Sequence, residues 1–174
     1  MLDVIFVMFN FFILTTYEEN IMANTYTQIY IQVVAVVKGR HCLIPNDKKE
    51  ILYKYIAGII QNKKHKLIVI NGIPNHIHFL IGLNPDEALS ALVKEVKRCS
   101  TNYINEQKWL HGKFSWQEGY GGFSYSRSQL GKVVKYIENQ EKHHQIKTFR
   151  EEYIEMLKKF EVMYDENFVF EDVE

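Results

Sequence analysis

Two histidines one residue apart, His76 and His78, stand in the apolar run Asn75-His76-Ile77-His78-Phe79-Leu80-Ile81. In a β-strand, side chains alternate faces with a period of two. Both imidazoles then point to one side, with Ile77 and Phe79 on the other. Two parallel imidazoles can reach one metal ion or one phosphate. Taken alone, the pair is equally well explained as a strand that carries two partly buried histidines.

A second pair lies far downstream. The stretch from Arg127 to about Lys142 reads as a helix whose buried stripe is Leu130, Val133, Val134 and Ile137. At about 100° per residue, Tyr136 and Gln140 fall about 40° apart in projection and about 6 Å apart along the axis. They share one border of the stripe, so a phenol and a carboxamide are presented side by side at the edge of the core. The adjacent pair His143-His144 is a rival for a metal. Neighbours on a helix point about 100° apart, however, and are expected to converge poorly.

The elements that must position these groups are legible in order. Ile29–Val37 is mostly apolar and β-branched, which predicts a central strand. Asn46 or Asp47 is placed to cap a helix through Asn62, with Ile51, Leu52, Tyr55, Ile56, Ile59 and Ile60 as its apolar face. Leu67–Asn71 is a second strand, and the turn residues Gly72-Ile73-Pro74-Asn75 join it to the histidine strand as a hairpin. Asn84-Pro85-Asp86-Glu87 reads as a helix start, and Leu89, Leu92, Val93 and Val96 continue it. Between Lys108 and Ser124 the sequence is irregular and aromatic. One more strand is expected there, near 114–117 or 123–125, with most of the aromatics in the core. Ser126–Gln129 and Thr148–Glu151 have the form of capping boxes. The second opens a last helix with Phe149, Tyr153, Leu157 and Phe160 as its stripe. The order β-α-β-β-α-β is that of a ferredoxin-like split βαβ fold, class α+β. It gives an antiparallel sheet with two helices on one face, followed by the helix that carries Tyr136.

Bulk properties bound the reading. The 174 residues suffice for one domain, and 47% hydrophobic content is ordinary for a globular chain. Net charge is zero, so no global basic signature of a nucleic-acid binder exists. Locally, eight Lys/Arg against two acids lie between Lys38 and Lys66, and six acids without a base lie between Glu161 and Glu174. The only cysteines, Cys42 and Cys99, lack metal-ligand spacing and suggest free thiols in a reducing, cytoplasmic compartment. Residues 4–14 are apolar except Asn10, too short to span a bilayer and without the basic start of a signal peptide. Met22 opens a clean new start. The expectation is an N-terminal extension, 1–21, upstream of the true start, and a single domain over 22–174.

The His-x-His strand after a hairpin, the helix text Tyr136-Ile137-Glu138-Asn139-Gln140, then His143-His144 and a Lys-Thr-Phe helix start together resemble a known family. It is that of the single-tyrosine HUH transposases of small bacterial insertion sequences, the IS200-like transposases. The similarity runs from Met22 to near the C-terminus and includes Thr25–Gln28 and Trp116–Gly121. The resemblance implies that Tyr136 is the nucleophile and that His76, His78 and Gln140 ligate a divalent metal, Mg²⁺ or Mn²⁺. It implies cleavage and rejoining of single-stranded DNA at element ends through a 5′-phosphotyrosine. It also implies terminal DNA hairpins as partners, association with the nucleoid, and a homodimer in which each subunit's tyrosine helix completes the other's site. No membrane is involved. For DNA contacts the sequence offers Lys94, Lys97, Arg98, Arg127 and Lys132, each equally well explained as part of a solvated helix face.

Other classes fit less well. A histidine-triad hydrolase would need a further alternate histidine, but position 80 is Leu. A two-histidine phosphoesterase would need a second His-x-Ser/Thr, which the chain lacks. An HUH replication initiator or relaxase shares the histidine pair and the tyrosine chemistry. A DNA-hairpin-binding regulator that keeps the fold is the non-enzymatic alternative, and the intact quartet Tyr136, His76, His78 and Gln140 argues against it.

Overall fold

The computed structural model describes residues 26–40, 43–165 and Val169. The expected start at Met22, the apolar N-terminal stretch and Cys42 lie outside them. Four strands form one antiparallel sheet: β1 (Tyr30–Val36), β2 (Lys66–Ile73), β3 (His76–Gly82) and β4 (Gly121–Tyr125), in the order β2-β3-β1-β4. That is the split βαβ arrangement, with β3 inserted between β1 and β2. Helices α1 (Lys49–Asn62) and α2 (Leu89–Glu106) make the two crossovers. After β4 come a 3-10 turn (Arg127–Gln129) and three helices, α3 (Leu130–Glu138), α4 (Gln140–His143) and α5 (Phe149–Lys159).

The strand period assigns the layers. Val33, Ala35 and Val37 of the first strand region join Ile77, Phe79 and Ile81 of β3 on one face. There they pack with Leu52, Ile56 and Ile60 of α1 and Leu92, Val93 and Val96 of α2. Each such buried aliphatic side chain is worth about 1.5–3 kcal/mol of transfer free energy. The opposite face carries Gln32, Val34, His76, His78 and Leu80. It is covered too, by α3 over Leu80 (Leu130, Val133, Ile137) and by α5 over Val34 and Phe123 (Phe149, Met156, Leu157). Thus β3 is buried along both sides, and its histidines lie beneath two helices. Among the described residues, no helix is long and apolar enough to cross a membrane.

Local expectations met different ends. The hairpin forms, but β2 runs through Ile73, so only Pro74-Asn75 turn, and Ile73 pairs with His76. The strand sought among the aromatics is Gly121–Tyr125, while Trp116 makes an isolated bridge to Val37. Phe114, Trp116 and Phe123 are core, and the Trp116 indole donates to the buried Ser100 Oγ at 2.8 Å. No side chain caps α1, which begins at Lys49 rather than beside Asn46 or Asp47. Its buried stripe includes Tyr53, while Ile51 is exposed. Helix α2 begins at Leu89, not at Asn84, because Asn84 closes a turn of its own: its Oδ1 accepts from Asp86 N at 3.2 Å. Both capping boxes are present, at Ser126–Gln129 and Thr148–Glu151. The largest departure is the tyrosine helix. It stops at Glu138, and Asn139 (φ −98°, ψ 20°) separates it from α4, so Tyr136 and Gln140 are not on one continuous helix.

Candidate metal and nucleophile site

The break after α3 has a cause in the sheet. Asn71 of β2, paired in register with His78, donates its side-chain Nδ2 to the carbonyl oxygens of Ile137 (3.0 Å) and Glu138 (2.9 Å). These are last-turn carbonyls that a helix leaves unsatisfied. The strand thus fixes where the helix ends, two residues past Tyr136, and α4 then turns Gln140 inward to full burial.

His76 and His78 are both fully buried, as the strand period requires. Each is held through its Nδ1. His76 Nδ1 lies 2.7 Å from Asn75 Oδ1 and therefore donates to it, which leaves Nε2 with a free lone pair. His78 Nδ1 lies 2.8 Å from the side-chain amide of Gln32, whose other end accepts from the Tyr125 hydroxyl at 2.9 Å. Gln32 is fully buried in β1 and was not singled out by the sequence reading; its signal was being the one polar residue inside an apolar strand.

The two Nε2 atoms face a group that the sequence reading also missed, Glu152 of α5, which is 3% exposed. Its Oε2 lies 3.6 Å from His76 Nε2, 3.5 Å from His78 Nε2 and 3.2 Å from His144 Nε2. None of these approaches is aligned as a hydrogen bond, and both Glu152 Oε2 and His78 Nε2 remain unsatisfied. The other oxygen, Oε1, accepts from Gln140 Nε2 at 3.0 Å and from the Tyr136 hydroxyl. The pair His143-His144, expected to diverge, converges on this carboxylate, with His143 Nε2 3.3 Å from Oε1. Helix α4 ends between the two histidines, and His144 is its C-cap, its Nδ1 donating to Lys147 O at 2.9 Å.

The electrostatics follow from burial. Desolvation, with repulsion from His78, holds the His76 imidazole well below the usual histidine range, so it is neutral near pH 7. Desolvation also pushes the Tyr136 phenol up, and the Glu152 charge pushes it further. For Glu152, burial opposes ionisation, but the surrounding hydrogen bonds and histidine charge win and keep it a carboxylate. The result is an anion facing the Nε2 atoms of His76, His78 and His144, with Gln140 Oε1 3.3 Å from His76 Nε2 and 3.1 Å from His144 Nε2.

That donor set fits a divalent cation. His76, His78 and Glu152 offer ligand atoms within 4.8 Å of one another. Metal–ligand bonds of about 2.0–2.2 Å set neighbouring ligands roughly 3.0–3.6 Å apart, the spacing seen here. Imidazole with carboxylate and amide oxygen suits Mn²⁺, and Mg²⁺ is acceptable. Beside the cluster, a cavity of about 500 Å³ opens onto Tyr136, lined by Tyr125, Lys132, Glu155, Lys159 and Phe160. Of the basic residues proposed for DNA, Lys132 therefore stands at the site. Arg127 is exposed in the 3-10 turn before α3. Lys94, Lys97 and Arg98 belong to α2, on the other face of the sheet. There Lys97 donates to the Gly119 carbonyl at 2.6 Å, and Arg98 pairs with Glu95 at 2.7 Å.

Comparison with known proteins agrees with this architecture. Residues 25–140, two thirds of the chain, match the family model described as "Transposase IS200 like". The ISDra2 transposase TnpA of Deinococcus radiodurans is 25% identical over 118 residues, covering 65% of this chain and 84% of that protein. A crystal structure of a putative transposase from the same species superposes with a TM-score of 0.52 at 21% identity, covering 67% of this chain and 94% of that one. A REP-associated tyrosine transposase bound to a REP hairpin superposes with a TM-score of 0.55 at 16% identity, covering 70% and 72%. These structural likenesses establish the shared fold, and the match over most of the sheet and through the tyrosine helix establishes that this chain belongs to the IS200-like transposase family.

Proposed function

We propose that this transposase cleaves and rejoins single-stranded DNA at insertion-sequence ends, with Tyr136 as nucleophile. The observation that carries the reading is that one chain brings the Tyr136 hydroxyl and Gln140 onto one oxygen of a buried carboxylate and His76 and His78 onto the other. The Tyr136 oxygen attacks the scissile phosphorus, the 3′-oxygen leaves, and a 5′-phosphotyrosine results. Attack by a 3′-hydroxyl reverses the step and seals a new junction. Phosphoryl transfer of this kind depends mainly on positioning and electrostatics. His76, His78 and Gln140 would hold a divalent ion, Mg²⁺ or Mn²⁺, which supplies polarisation of the phosphate and offsets the charge building on its oxygens. Lys132 and Lys159 put positive charge at the cavity mouth, and Tyr125 and Phe160 offer faces on which an unpaired base can stack.

Hairpin DNA as the partner is supported by the neighbour bound to a REP hairpin. The domain is taken as 22–174, acting on DNA in the cytoplasm. The resemblance implies a homodimer with tyrosine helices exchanged, whereas Tyr136 reaches the histidines here within one chain. The test uses labelled single-stranded DNA from the flanks of the native gene, with Mn²⁺ or Mg²⁺, on a denaturing gel. A covalent adduct that needs metal and is lost in Tyr136→Phe and His76→Ala is the expected result. Tight hairpin binding without any adduct would refute the enzyme and leave a DNA-binding regulator.

A further inference from the structure

The residues matched by the family model end at Gln140, twelve positions before Glu152. Yet Glu152 stands at the centre of the site. Three separate constraints make its surroundings a cation site. His144 Nδ1 donates to the Lys147 backbone carbonyl, which can only accept, and its Nε2 stands 3.1 Å from His76 Nε2. Asn75 makes His76 Nε2 a lone pair. Gln140 spends its NH₂ on Glu152 Oε1, so its own oxygen also faces inward as an acceptor. The Nε2 atoms of two imidazoles and an amide oxygen thus converge on one point beside a carboxylate oxygen that makes no hydrogen bond and lies in a fully desolvated place. A buried carboxylate oxygen left without a hydrogen bond is costly unless a cation meets it.

We propose that Glu152 is itself a ligand of the divalent ion, contributing Oε2 beside His76 and His78, while its Oε1 keeps hold of the Tyr136 hydroxyl. Helix α5 then completes the metal centre from the same chain. One carboxylate links the ion to the nucleophile, and the ion's affinity depends on a residue outside the matched region. This rests on the reading of His76 and His78 as metal ligands.

The test is Mn²⁺ binding by the full chain without DNA, read as loss of the free-ion six-line electron paramagnetic resonance signal and by calorimetry. Wild-type and Tyr136→Phe should bind one Mn²⁺ with closely similar affinity. His76→Ala should lose the site. Glu152→Gln, nearly isosteric and checked for folding by circular dichroism, should bind at least roughly 10–100-fold more weakly. Should that variant not fold, anomalous scattering from a Mn²⁺-soaked wild-type crystal replaces it, with the ion expected in bonding contact with Glu152 Oε2. Wild-type affinity in Glu152→Gln while His76→Ala loses binding, or an ion on the histidines out of reach of Glu152, overturns the role of Glu152 alone. No stoichiometric Mn²⁺ in the wild type, or unchanged binding in His76→Ala, overturns the underlying metal reading as well.

Discussion

Replacing Gln32 by leucine removes the brace behind His78 with little change in side-chain volume. Gln32 is fully buried and spans from the Tyr125 hydroxyl (2.9 Å) to His78 Nδ1 (2.8 Å). The variant leaves His78 Nδ1 without a partner in a fully buried place, a loss of about 1–3 kcal/mol. The Tyr125 hydroxyl adds less, because it borders the open cavity and regains water. At about 2–4 °C per kcal/mol for a chain of this size, the melting temperature should fall by roughly 3–10 °C. A second consequence concerns the ring itself. To offer Nε2 to a metal, neutral His78 must carry its proton on Nδ1, so the Gln32 amide, whose NH₂ faces Nδ1 here, turns over to present its oxygen there and its NH₂ to the Tyr125 oxygen. Leucine cannot fix that tautomer, and Mn²⁺ affinity should drop by about 10–100-fold. Thermal unfolding by circular dichroism, repeated with Mn²⁺, measures both effects. Tyr125→Phe is the companion variant. In the double variant the orphaned hydroxyl is gone, so the two losses should fall short of additive by about 0.5–1 kcal/mol. A Gln32→Leu protein that melts with the wild type and keeps its Mn²⁺ affinity would refute the idea that this amide orients His78.

Gly72→Ala should be among the most damaging single-methyl changes, since its Cβ would fall 2.2 Å from the His76 carbonyl oxygen and 2.7 Å from Ile77 Cα, both backbone. A loss of about 1–3 kcal/mol or more, together with weaker Mn²⁺ binding, is expected, and an unperturbed melting curve would contradict it. Glu87→Gln tests an ion pair. Hydrogen bonds from Lys63 and His65 hold the Glu87 carboxyl below its ordinary value. The stability this gives is present above the unfolded pKa near 4.5 and fades as pH falls through the lower folded value. The variant should therefore melt below wild type at pH 7, and the gap should narrow as the pH falls below about 4.5; a gap that stays constant with pH would count against the pair. Mixing Tyr136→Phe with His76→Ala protein distinguishes cis from trans sites. The geometry of one chain predicts no recovery of the DNA adduct, and recovery to a large fraction of wild type would mean that tyrosine helices are exchanged.

The sequence by itself determined the features that rest on periodicity and local chemistry. A period of two placed His76 and His78 on one face, the hairpin and the strand order came from turn residues and alternation, and both capping boxes formed where Ser126 and Thr148 required them. The paired motifs were enough to name the family. The tertiary structure alone decided the convergence of groups far apart in sequence. The continuous helix expected through Lys142 is cut because Asn71, on a strand more than sixty residues earlier, captures its last carbonyls. Gln32 reads as an ordinary strand residue until β1 is laid beside β3, opposite Leu80 and one step from the Val34–His78 pair. Nothing in the sequence singles out Glu152, and His144 is expected to converge poorly with its neighbour. They enter the site because α5 packs Phe149, Met156 and Leu157 onto the sheet face that carries the histidines. A residue's own periodicity reports its face within one element. Which elements share that face is set by how they pack, and only the folded chain carries that information.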